Sequence, residues 1–87
     1  MDVKSSIEQR LAQLAPEALE ILDESAKHSG HEGAKGGGGH YRLTIVARAF
    51  AGKSPQERHR MVYQALGPLM HKEIHALAIR ARAPGEP

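Results

Sequence analysis

Two stretches of alternating side chains, residues 40–50 and 74–83, flank a segment with its own helix-start signal, and this arrangement confines the fold more than any other feature of the chain. In the first stretch Tyr41, Leu43, Ile45 and Ala47 share one face, and Arg42, Thr44, Val46 and Arg48 share the other. A period of two belongs to a half-buried strand. In the second, His75, Leu77, Ile79 and Ala81 fall on one side, and Ala76, Ala78, Arg80 and Arg82 on the other. Between them, Ser54-Pro55-Gln56-Glu57 has the spacing of a capping box, with proline at the first helical position, where its missing N–H costs nothing. Val62, Leu66 and Leu69, with Ala65 beside them, supply the apolar stripe of the helix that follows. A strand, a helix and a second strand in succession imply that the two strands run parallel. Gly67-Pro68 stops or kinks that helix near Leu66, because an interior proline loses a hydrogen bond and costs about 3 kcal/mol.

The N-terminal part completes the pattern. Ser5-Ser6-Ile7-Glu8 carries capping-box spacing, and Ile7, Leu11 and Leu14 recur on one helical face. Pro16 closes the element by disfavouring helix at Ala15. Residues 19–23 are short, apolar and branched enough for a strand. The loop 26–39 then holds six glycines, four of them consecutive, which is costly in any regular element. Joined by this loop, the first two strands are expected to be antiparallel. The chain therefore reads as α+β, in the order α-β-β-α-β, with helices on one face of a three-stranded mixed sheet. One domain spans residues 1–83, and residues 84–87, Pro-Gly-Glu-Pro, are expected to be a disordered tail.

Size and composition limit what such a domain can do. Eighty-seven residues bury roughly 60–65% of their unfolded surface, too little for a deep catalytic cleft. With no cysteine, the chain has no thiol nucleophile, no disulfide and no thiolate metal site. It also lacks a phosphate-binding glycine motif between strand and helix, so an enzyme is not expected. No apolar run among residues 1–22 is long enough for a signal peptide or a membrane span, which makes the cytoplasm the expected compartment. The net charge of +2 conceals an asymmetry: residues 1–39 sum to −3 and residues 40–87 to +5. A positive face directed at phosphate, nucleic acid or an acidic protein patch is one implication; ordinary solvated charge is the other.

Several short motifs, in a particular order, resemble those of the BolA-like family. They are Asp23-Glu24-Ser25 followed by His28, His40-Tyr41-Arg42-Leu43, Phe50-Ala51-Gly52, Arg58-His59-Arg60, and Ile74-His75-Ala76-Leu77-Ala78. The resemblance implies a short helix before the main one, α-β-β-α(α)-β overall, similar to the second type of KH domain. It also implies a monothiol glutaredoxin as partner and a [2Fe–2S] cluster shared with it. The glutaredoxin cysteine and its bound glutathione would bring the thiolates, and histidines of this chain the remaining ligands. No cofactor is expected in the isolated protein, which is expected to be monomeric.

A histidine at the head of a strand is most often half-buried and satisfied by a backbone carbonyl. The resemblance instead makes His75 the C-terminal cluster ligand. His28 matches the family's loop ligand, with His31, three residues on, as its substitute. His40 and His59 are supporting candidates, the first lining the site or orienting the loop, the second a core or capping histidine. His71 and His75 have i, i+4 spacing, but the strand pattern from Ile74 onward argues against a helical zinc site. The alternative function is nucleic-acid binding by a transcriptional regulator. It rests on the KH-like topology and on a basic surface of Arg42, Arg48, Arg80 and Arg82, with Lys53, Arg58 and Arg60 adding phosphate contacts. Tyr41, Phe50 and Tyr63 are the only aromatics, a poor supply for stacking on single strands.

Overall fold

The computed structural model describes residues 2–25 and 39–87. Helix α1, Val3–Leu11, is followed by one 3-10 turn, Ala12–Leu14, and strand β1, Ala18–Asp23. Strand β2, Gly39–Val46, precedes helix α2, Pro55–Leu66, and strand β3, Ile74–Arg82. The sheet order is β1-β2-β3, antiparallel between the first pair and parallel between the second, as the alternation and the intervening helix require. Ile7 and Leu11 of α1, Leu43 and Ile45 of β2, and Val62 and Leu66 of α2 are fully buried in one core with Phe50, so both helices cover the same face of the sheet.

Local chemistry explains most element ends. The capping box at α2 is complete: the Glu57 N–H donates to Ser54 Oγ at 3.1 Å and the Ser54 N–H to Glu57 Oε1 at 2.9 Å. Gly67, at φ 55° and ψ −127°, ends α2 at Leu66 and leads into a 3-10 stretch over Gly67–His71. At the first helix the expected Ser5–Glu8 box does not form. Asp2 is the cap instead, its Oδ1 accepting from the Ser5 N–H at 2.8 Å, so the helix starts three residues earlier. Ala15 takes a left-handed φ of 49° before Pro16 and turns the chain into β1.

Three expectations are corrected. Strand β2 ends at Val46, and Arg48 lies in a 3-10 turn, Arg48–Phe50, that carries Phe50 into the core. That single 3-10 turn is the short helix implied before α2. At the other end, β2 begins at Gly39 rather than His40. Finally, residues 84–87 are not a loose tail. The Glu86 carboxylate takes two hydrogen bonds from Arg58, at 2.6 and 2.9 Å, and one from the Ala83 N–H at 3.0 Å. Arg58 in turn donates to the carbonyls of Lys53 and Ala81, so the C-terminus is tied to the start of α2. The Arg58 hydrogen bonds, followed by that from Ala83, bring the Glu86 carboxyl down to about 2.

A carboxyl lowered on folding stabilises above its unfolded pKa and stops doing so as pH falls through its folded one. Glu86→Gln is therefore expected to lower the melting temperature at pH 6, with the gap to wild type closing between about pH 4.5 and 2. Thermal melts across that range read the effect directly. A gap that persists undiminished at pH 2 would show that the ion pair is not its source.

Candidate functional site

The β2–β3 ladder carries an irregularity that decides where His75 points. Gly39 pairs with Ile74, but the next residue, His40, pairs with Ala76. From there the register is regular, Tyr41 opposite Leu77 and Leu43 opposite Ile79. One residue of β3, His75, is left over, which is the definition of a bulge. Simple alternation puts His75 on the core face with Leu77 and Ile79. In the structure Ile74 takes the buried position, 3% exposed, and His75 is exposed. Its ring lies beside that of His40, with centroids 5.1 Å apart and planes at 51°.

His40 is held from the backbone. Its N–H donates to Ser25 Oγ at 3.0 Å, and its carbonyl accepts from the Glu24 N–H at 2.7 Å. Ser25 is positioned by Asp23, whose Oδ1 accepts the Ser25 N–H at 2.9 Å. The end of β1 is thus laced to the start of β2, and the Asp23-Glu24-Ser25 motif acts as a brace for His40. Behind the pair, the Tyr41 ring packs over Gly39; a Cβ at Gly39 would meet that ring at 2.5 Å. Burial pushes the Tyr41 hydroxyl above its ordinary pKa. Sequence reading took Gly39 as one more loop glycine. The signal for its role was the aromatic two residues on, which becomes informative only once the strand is known to start at residue 39.

The remaining site candidates separate in space. His28 and His31 lie outside the described residues. His59 is partly buried on α2, next to Arg58, which contacts the carbonyl of Ala81 near the far end of β3. Six strand residues, about 20 Å, separate Ala81 from His75, so His59 does not support this site. His71 is exposed at the end of the 3-10 stretch, and β3 begins at Ile74, so His71 and His75 share no helix.

The expected basic surface is also thinned. Arg42, Arg80 and Arg82 do share the sheet face away from the helices, opposite Ala78, Thr44 and Val46 in the ladder. Arg42 is paired with Glu24 at 3.3 Å, and Arg82 donates to the Pro87 and Ala81 carbonyls. Arg48, off the strand, pairs with Glu17 at 3.1 Å. Arg58, its side chain 12% exposed, is committed to Glu86. Lys53, Arg60 and Arg80 remain exposed. No helix among the described residues is long and apolar enough to cross a membrane.

Comparison with known proteins agrees with the fold. The family model described as BolA-like protein matches residues 11–86. An uncharacterised Sinorhizobium protein, from the 5' region of cobS, is 42% identical over all of this chain and 97% of its own length. BolA-like protein 1 of Mus musculus is 40% identical over 97% of this chain, which spans only 60% of that protein. A protein of Vibrio cholerae named DNA-binding transcriptional regulator BolA is 37% identical over 88% of this chain and 71% of its own. Among solved structures, the BolA domain of SufE1 from Arabidopsis thaliana superposes with a TM-score of 0.83, at 36% identity, over 100% of this chain and 99% of that domain.

Proposed function

This chain belongs to the BolA-like family, and from that premise we propose that it is the imidazole-bearing half of an iron–sulfur site completed by a monothiol glutaredoxin. The observation that carries the proposal is the bulge at His75, which turns a core-facing position into an exposed one. An imidazole that must reach a group held by another protein cannot be packed into its own core.

The donor set suits such a division. This chain has no cysteine, so every thiolate must come from the partner and its bound glutathione. His75 would be one ligand and His28 the other, with His31 as its substitute. His28 is three residues from Ser25, which is tied to His40, and three residues span at most about 10 Å. When bound, the [2Fe–2S] cluster would supply electron exchange or cluster transfer. Imidazoles in place of thiolates leave it less negative and easier to reduce. The chain's own part is to present an exposed His75 at a braced sheet corner.

Mixing the protein with a cluster-loaded monothiol glutaredoxin is expected to change the visible absorption and circular dichroism of the cluster. His75→Ala, at an exposed position, should leave the fold intact and abolish that change. An unchanged spectrum with wild type, or a His75→Ala spectrum identical to wild type, would refute the reading.

A second reading, DNA binding, is favoured by the arginines on the outer sheet face and by the name of the Vibrio relative. Phosphate-led binding should weaken steeply with salt, by close to one unit of log–log slope per phosphate contacted. Arg80→Ala should then reduce that slope by about one. A duplex bound equally at low and high salt, or not bound at low salt, would sink it.

A further inference from the structure

The His40–His75 pair has a geometry that the glutaredoxin reading does not use. The nitrogen of an imidazole lies a little over 1 Å from the ring centroid, and zinc–nitrogen bonds are about 2.0–2.1 Å. Two imidazoles on one tetrahedral ion therefore have centroids about 5 Å apart. The observed separation is 5.1 Å. We infer that His40 and His75 form a two-imidazole site for a divalent transition-metal ion of the zinc or copper class, in the isolated protein.

The fold prepares this site in two ways. The bulge removes His75 from the core face and places it next to the strand residue whose partner it displaces. The hydrogen bonds of His40 to Glu24 and Ser25 fix its backbone, so little order is lost when a ring is engaged. A metal-bound histidine needs one ring nitrogen for the ion and ordinarily uses the other in a hydrogen bond, so a partner on His40 is compatible with binding. Glu24 and His40 line a shallow cleft of about 320 Å³ whose walls do not include His75, and the Glu24 carboxylate is engaged by Arg42. Among the described residues no set of three donors surrounds a common point. The site is thus open, with the remaining positions left to water, and it should follow the order of divalent ions for nitrogen ligands, copper above zinc.

The inference is independent of the proposed function, because its test contains no glutaredoxin. Calorimetric titration of the whole chain with Zn²⁺, and separately with Cu²⁺, is expected to show one equivalent bound, Cu²⁺ more tightly. His40→Ala and His75→Ala should each weaken binding at least tenfold. In wild-type protein, the ring resonances of His40 and His75 should shift together at substoichiometric Zn²⁺, a readout that needs no variant. Absent binding, binding that survives either single substitution, or a shift of only one of the two rings would overturn the site.

Discussion

Replacing Phe50 by alanine is expected to cost about 3–5 kcal/mol, enough to leave the domain partly unfolded at 25 °C. Phe50 is the only phenylalanine in the chain and is completely buried. It does not stand on a strand or a helix, where neighbours on the same face could close the gap. It is the last residue of the 3-10 turn that leaves β2, held by a Phe50 N–H bond to the Ala47 carbonyl at 3.1 Å. Truncation would empty the centre of a core that has no other large aromatic except Tyr41. Domains of this size are stable by roughly 4–13 kcal/mol in total. With a urea slope near 1 kcal/mol/M, the midpoint should fall by about 3 M or the folded baseline should vanish. A loss below about 1 kcal/mol would mean that the core closes over the gap and that Phe50 is not its centre. Phe50→Leu, which keeps most of the volume, should cost much less.

The second large effect is expected at Gly39. In Gly39→Ala the new methyl would enter the Tyr41 ring at 2.5 Å, far inside van der Waals contact. The ring is 8% exposed and cannot swing away without uncovering core. The strain is expected to cost about 1–3 kcal/mol, as overpacking does. Its position makes the consequence more than a loss of stability. Gly39 pairs with Ile74 on the near side of the bulge, and its N–H donates to the Glu73 carbonyl at 2.8 Å. Moving Gly39 moves the anchor of the bulge, so His75 should lose its place beside His40. Melting temperature reads the first effect, and cross-peaks between the two imidazole rings read the second. A variant that melts lower but keeps the ring contact would show that the bulge is held from the β3 side alone.

Legibility from sequence differed by element for definite reasons. The second capping box was readable because Ser54, Pro55 and Glu57 interact with one another within a single turn. The end of α2 was readable because Gly67 and Pro68 act on their own backbone. The first helix was misjudged because Asp2 and Ser5 are both competent caps; the choice of Asp2 also enlists a Ser6 Oγ bond to the Asp2 carbonyl. Strand β2 was drawn too long because alternation continues through Arg48, although the chain already bends to bury Phe50. The Arg58–Glu86 pair, 28 residues apart, had no local signature at all.

What the residues determined alone was therefore the class of the fold, its strand directions, the core face of β2 and the lack of any thiolate of its own. Each follows from short-range periodicity, from bonds closed within one turn, or from simple inventory. Which way His75 points was a tertiary decision. Periodicity assigns it to the core with Leu77 and Ile79, but the ladder register is set by two strands at once. Ile74 fills the buried place against Gly39, and the one-residue mismatch has to be absorbed next to it. His75 absorbs it, and so the imidazole that alternation would have buried stands in the open beside His40.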